Sequence, residues 1–151
     1  MNNKPIQILM VEDNEGDVFL ITEALKGSTV KSEIRFVRDG VEAMEYLQHK
    51  GKYASVPKPD LIILDLNLPR KNGCEVISEI RTMPETSLIP IIVLSGSKAQ
   101  EDILRAYMLG ANCYVAKPVD LEELLKVVKS IEDFWLSSVK FPPKLLICPE
   151  P

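Results

Sequence analysis

The stretch DLIILDLNLPRKNG, residues 60–73, decides how the rest of the chain is read. Leu61, Ile62, Ile63 and Leu64 form an apolar run that stops on a carboxylate, Asp65. An apolar run this short, bounded by turn residues, reads as a strand buried on both faces, as in a parallel sheet. A carboxylate at its C-terminal end stands on the sheet rim, where open α/β folds bind ligands. The loop behind it carries Asn67, Pro69, Arg70 and Lys71, and Gly73 opens the next periodic segment.

Outward from this strand, short apolar runs alternate with helical periods. Strands are expected over residues 6–11, 33–38, 89–95 and 112–116, and helices over about 17–27, 41–49, 73–83, 98–109 and 121–137. Asp17 is expected to cap the first helix, with Leu20, Ile21, Ala24 and Leu25 as its stripe, and Gly27 with Ser28 to stop it. Asp39 and Gly40 turn into the second helix, Gly110 closes the fourth, and Asp120 caps the last. Residues 50–59 form a polar loop, long for a helix–strand connection. Five strands, each followed by a helix, predict a flavodoxin-like, doubly wound (βα)5 parallel sheet in the order 2-1-3-4-5. That order sets Glu12 and Asp13, after the first strand, next to Asp65. Ser95 and Lys117 then stand at the ends of the fourth and fifth strands.

A length of 151 residues points to one domain, and 46% hydrophobic with 26% charged residues is ordinary for a globular protein. The net charge of −4, with scattered Lys and Arg, argues against a nucleic-acid or anionic-membrane partner. No segment approaches the roughly 20 apolar residues that span a bilayer, and the first apolar run is too short for a signal peptide. Cys74, Cys113 and Cys148 lack metal-like spacing and read as free thiols of a reducing cytoplasm.

Three crowded carboxylates repel one another unless a cation joins them, and hard oxygen ligands with room for water suit Mg²⁺. A lysine and a hydroxyl opposite supply the charge and hydrogen bond that a transferred phosphoryl group needs. Taken singly, Asp65 reads as a turn residue, Glu12 and Asp13 as a solvated pair, Ser95 as a strand terminator and Lys117 as a loop entry. The chemistry rests on their meeting at the C-terminal ends of four strands.

VEDN at 11–14, LDLNLPRKNG at 64–73, LSGS at 94–97 and YVAKP at 114–118 resemble, in order and spacing, the receiver domain of bacterial two-component response regulators over about residues 6–125. The resemblance implies that Asp65 is the phosphoacceptor, taking its phosphoryl group from a sensor histidine kinase or a phosphotransfer protein. It implies that Glu12, Asp13, Asp65 and the backbone carbonyl of Asn67 hold Mg²⁺, with Glu12 acting mainly through a bound water. Ser95 and Lys117 would bind the phosphoryl oxygens, and Gly96 would keep the approach open. The Lys117-Pro118 bond resembles the family's cis peptide, and Tyr114 stands at its aromatic switch position. Movement of Ser95 and Tyr114 would then reshape the face made by the fourth helix, fifth strand and fifth helix.

The receiver is expected over residues 1–138 and a C-terminal extension over 139–151, with no separate output domain. In the last helix Leu121, Leu125 and Val128 make one stripe, and Leu124, Val127, Ile131 and Phe134 an adjoining one. Leu124, Val127, Ile131, Phe134 and Trp135 are expected to form a homodimer surface, the alternative being a tail that wraps its own domain. The loop at 50–60, the LNLPRKNG loop and the Phe-Trp extension resemble the phytochrome-associated, single-domain regulators of cyanobacteria and other bacteria. Two functions compete with the signalling switch, which is not an enzyme beyond its own phosphotransfer and dephosphorylation. One is a haloacid-dehalogenase-like phosphohydrolase, disfavoured because Asn67 stands where that pattern has its second Asp. The other is a receiver-like interaction module that works without phosphorylation, disfavoured by the presence of Glu12, Asp13, Asp65 and Lys117 together.

Overall fold

The computed structural model describes residues 4–26 and 31–143. The stop expected at Gly27 and Ser28, and Leu145, Leu146, Ile147 and Cys148 of the extension, lie outside the described residues. Strands β1 (Ile6–Val11), β2 (Ser32–Val37), β3 (Leu61–Leu64), β4 (Ile91–Ser95) and β5 (Cys113–Ala116) form one parallel sheet in the order β2-β1-β3-β4-β5. Helices α1 (Glu15–Lys26), α2 (Gly40–Leu47), α3 (Gly73–Thr82), α4 (Gln100–Leu109) and α5 (Leu121–Ile131) follow the strands in turn. This is the flavodoxin-like architecture read from the sequence.

Side chains alternate across a strand, so the sheet feeds two cores. Leu9, Val11, Ile62, Leu64, Ile91 and Val93 pack under α2, α3 and α4, against Ala43, Val76, Ile77, Ile80 and Ala106. Ile8, Met10, Leu61, Ile63, Ile92 and Leu94 pack under α1 and α5, against Val18, Ile21, Leu25, Leu124, Val128 and Ile131. All four residues of β3 are buried because both its faces are covered, which is why its sequence does not alternate.

Several element ends differ from expectation for local reasons. Helix α1 starts at Glu15 because Asn14, not Asp17, is its cap: the Asn14 side-chain oxygen accepts the Asp17 N–H at 3.0 Å. Helix α4 starts at Gln100, after a turn in which the Ser97 hydroxyl accepts the Ala99 N–H and donates to Asp102 at 2.6 Å. The last helix does not run unbroken to residue 137. It widens into a π-helical segment, Glu132–Leu136, whose last residue turns into the α1–α5 core. The loop at 50–59 contains a 3₁₀ turn, Gly51–Tyr53, anchored by the Tyr53 ring on Tyr46 and by the Tyr53 hydroxyl on Glu42.

The stripes of the last helix also sort differently. Leu124, Val128 and Ile131 point into the core, whereas Leu121 and Leu125 face outward. Leu124 is therefore a core residue of this chain and not surface available to a partner, whereas Ile131, mostly buried, also lines a groove beside α5. Phe141, at the start of the extension, packs on the same core.

Gly73 is needed for space. Helix α3 opens with a reciprocal cap between Asn72 and Glu75, and the Gly73 N–H donates to the Leu66 carbonyl at 2.9 Å. A Cβ at Gly73 would lie 2.6 Å from both the Asp65 carbonyl oxygen and the Leu66 Cα. Backbone cannot yield as a flexible side chain does. Gly73→Ala is expected to cost about 1–3 kcal/mol of stability and to displace the strand end that carries Asp65. Urea unfolding measures the loss, and an unchanged midpoint would show that the contact relaxes freely.

Candidate phosphoryl and metal site

Register brings the functional residues to one edge. Val11 pairs with Leu64, and Leu64 with Val93. Beyond them the Asp65 N–H donates to the Val11 carbonyl at 3.0 Å, and the Lys117 N–H to the Ser95 carbonyl at 2.7 Å. The residues that follow β1 and β3 thus leave the sheet together at the point where the strand order reverses, and those that follow β4 and β5 leave it along the same edge.

Carboxylate oxygens of Glu12, Asp13 and Asp65 lie within 4.8 Å of one another. Glu12 and Asp65 are buried, at 4% and 8% exposure, and Asp13 is open to solvent. Three hard oxygen donors with one side facing water fit a small divalent cation that keeps part of its hydration shell. The Asn67 N–H donates to Asp65 Oδ1 at 3.1 Å and holds that carboxylate at the start of its loop.

The Lys117 ammonium sits against three carboxylates: Glu12 at 2.7 Å, Asp17 at 3.0 Å and Asp65 at 3.1 Å. Its side chain is 11% exposed. Burial by itself would lower the lysine's pKa, but the hydrogen bonds to Glu12 and Asp17 and the charges of Asp65 and Glu12 more than reverse this and raise it. Lys117 is a cation at any physiological pH. Glu12 is pushed the other way from the usual charged carboxylate: burial raises its pKa, Lys117 pulls it back, and the charge of Asp65 adds to the rise. The site is short of positive charge and ready for a cation.

Ser95 is fully buried, and its hydroxyl oxygen accepts the Ser97 N–H at 3.3 Å. A Cβ on Gly96 would meet nothing within 4 Å, so the approach beside Ser95 is open. Tyr114 is half-buried. Its hydroxyl donates to the Ser97 carbonyl at 2.8 Å, and its N–H donates to the Tyr107 hydroxyl of α4 at 3.0 Å. Ser95, Ser97, Tyr114 and α4 are thereby linked through direct hydrogen bonds.

Of the residues singled out in the sequence, Glu12, Asp13, Asp65 and Lys117 meet directly, Asn67 joins through its N–H, and Ser95, Gly96 and Tyr114 line the β4–α4 side. Pro118 follows the lysine and is half-buried. Val127, Phe134 and Trp135 line a separate apolar groove of about 210 Å³ between the β5 edge and α5, together with Cys113 and Val115. The site residue that sequence reading missed is Asp17. Asn14, three positions ahead of it, was the signal: it is the better-placed cap and leaves the Asp17 carboxylate free for other work.

A model of the response regulator receiver domain matches residues 8–129. The chain is 45% identical over 141 residues to the response regulator Rcp1 of Synechocystis sp., covering 93% of this chain and 96% of that one. It is 37% identical over 139 residues to the probable methanogenesis regulatory protein FilR2 of Methanothrix harundinacea, covering 91% and 88%. Among solved structures, the phosphorylated cyanobacterial phytochrome response regulator RcpA superposes with a TM-score of 0.90 at 49% identity, over 93% of this chain and all of that one. The Mn²⁺-bound form of Rcp1 superposes with a TM-score of 0.89 at 45% identity, over 92% of this chain and all of that one. With the family model matched over residues 8–129 and relatives matched over nearly their whole length, the chain belongs to the response regulator receiver domain family.

Proposed function

We propose that this receiver domain is a phosphoaccepting switch in which Asp65 takes a phosphoryl group from the phosphohistidine of a sensor kinase or a phosphotransfer protein. The observation that carries this reading is the surroundings of Asp65: a buried carboxylate between an acid cluster fit for a cation and a lysine ammonium 3.1 Å away. An Asp65 oxygen attacks phosphorus, the bond from phosphorus to the histidine nitrogen breaks, and the histidine leaves. Glu12, Asp13, Asp65 and the Asn67 backbone carbonyl are the groups to hold Mg²⁺. When bound, the cation offsets the charge on the phosphoryl oxygens and on the acid cluster. Lys117 supplies a fixed positive charge, and Ser95 donates its hydroxyl hydrogen to a phosphoryl oxygen.

The same hydrogen bonds supply an output. Turning the Ser95 hydroxyl toward Asp65 releases the Ser97 N–H it now accepts. Tyr114, bonded to the Ser97 carbonyl and to Tyr107, moves with that segment. The face that changes carries exposed Leu104 and Met108 of α4 and Leu121 and Leu125 of α5. The 49% identity to the cyanobacterial phytochrome response regulator RcpA, matched over its whole length, supports a phytochrome kinase as the donor. Faster labelling by a phytochrome kinase than by unrelated sensor kinases tests that assignment.

Incubation with acetyl phosphate, with Mg²⁺ or with EDTA, followed by intact mass, tests the switch. One phosphoryl group per chain, gained only with Mg²⁺, is the expected result. Continuous turnover of many phosphoesters would favour the hydrolase, and no gain in either condition the unphosphorylated module.

The receiver is assigned to residues 1–138, and Phe141 of the extension that follows packs on it. The free thiols of Cys74 and Cys113 agree with a cytoplasmic protein, where a kinase finds its ATP. A homodimer is the proposed assembly, supported by the groove lined by Val127 and Trp135 with Phe134 standing 59% exposed at its side. Light scattering on the wild-type chain should give the dimer mass, and Phe134→Glu the monomer mass. A wild-type chain that stays monomeric at high concentration contradicts it.

A further inference from the structure

We propose that Asp17 is a positioning residue for phosphoryl transfer: from the first turn of α1 it holds the Lys117 ammonium beside Asp65 while Asp65 changes from carboxylate to acyl phosphate. This rests on the reading of Asp65 as the phosphoacceptor and goes beyond it to a residue outside the acid cluster.

The geometry separates Asp17 from the other acids. Glu12, Asp13 and Asp65 have oxygens within 4.8 Å of one another, and Asp17 does not belong to that group. It touches the site through one contact, the 3.0 Å bond to Lys117 Nζ. Its side chain is 21% exposed, so the contact is largely shielded from water. Asn14 has taken over the capping of α1, and its bond to the Asp17 N–H fixes the backbone from which the carboxylate projects.

An ammonium has three N–H donors, and here each has a carboxylate: Glu12, Asp17 and Asp65. Phosphoryl transfer changes two of these partners. Asp65 becomes an ester-like oxygen carrying a phosphoryl group, and at least one lysine hydrogen must move to a phosphoryl oxygen. Glu12 belongs to the acid cluster and is drawn toward a bound cation. Asp17 alone keeps the same charge and position before and after transfer. Lys117 reaches the site on a flexible four-carbon stem, and a fixed carboxylate on a neighbouring helix restricts where its charge can go. The transfer itself is unchanged: phosphorus leaves the acetate oxygen of the donor and bonds to Asp65, acetate departs, and the lysine keeps its protons.

The test is the rate of labelling by acetyl phosphate in Mg²⁺, read by intact mass, with circular dichroism to check folding. Asp17→Ala is expected to slow labelling about tenfold. Asp17→Asn, which keeps an acceptor oxygen near the same place, should recover most of that loss. In a Lys117→Gln background, Asp17→Ala should cost nothing further, because the residue acts through the lysine. Labelling of Asp17→Ala at the wild-type rate or faster, or losses that multiply in the double variant, overturns the proposal. A wild-type chain that takes no label would remove the Asp65 reading and this proposal together, so the two failures are told apart.

Discussion

Asp65→Asn is expected to lose phosphoryl uptake from acetyl phosphate by at least about a thousandfold, since an amide lacks the nucleophilic oxygen that forms the acyl phosphate. The substitution keeps the size of the side chain and an oxygen for the Asn67 N–H, which the wild-type carboxylate accepts at 3.1 Å. Lys117 retains Glu12 and Asp17 as partners. The variant also removes a negative charge that pushes Glu12 upward, so its thermal midpoint should equal or exceed that of the wild type. A folded chain without labelling is the expected pair of results. Full labelling of this variant would move the acceptor to another residue.

Lys117→Met should act on both stability and chemistry. Glu12 and Asp65 have side chains 4% and 9% exposed, and the lysine is the cation they share. Removing one partner from such a cluster costs about 3–5 kcal/mol at neutral pH without added metal. Burial already raises the Glu12 pKa, and losing the lysine raises it further. A carboxyl whose folded pKa is raised contributes its full stability below its unfolded value and loses it as pH rises through the folded one. The deficit of Lys117→Met should therefore be largest near neutrality and shrink as pH falls through the carboxylate range. Urea unfolding at a series of pH values measures this, and a deficit that grows on acidification contradicts it. Labelling by acetyl phosphate should fall about a hundredfold, the cost of losing one preorganised charge at a phosphoryl group. A labelling rate unchanged in Mg²⁺ would show that the lysine serves stability alone.

The fold was legible because β3 and β4 are buried on both faces, which leaves uninterrupted apolar runs between turn residues. Once the strand order was chosen, Glu12 and Asp13 had to meet Asp65 at the point where it reverses, and Lys117, beyond the edge strand β5, reaches them through its long side chain. The orientation of α5 was not legible. Two adjoining apolar stripes fit its sequence, and contact with α1, an element some hundred residues away, selects Leu124, Val128 and Ile131 for the inside. Asp17 was hidden for a related reason. Its partner Lys117 lies 100 positions along the chain, so local spacing offered only the capping role that Asn14 fills. The π-helical end of α5 likewise depends on Leu136 finding room in the core beneath it, and no period in the sequence reports that.

The central claim is that the strand end at Asp65 carries the phosphoryl group. Its most direct measurement is borohydride reduction of the chain labelled with acetyl phosphate and Mg²⁺, followed by peptide mass mapping. Reduction of an acyl phosphate leaves an alcohol at the modified residue, so homoserine at position 65 is the predicted product. Homoserine at position 13, another reduced acid elsewhere, or a labelled chain with Asp65 intact would contradict it.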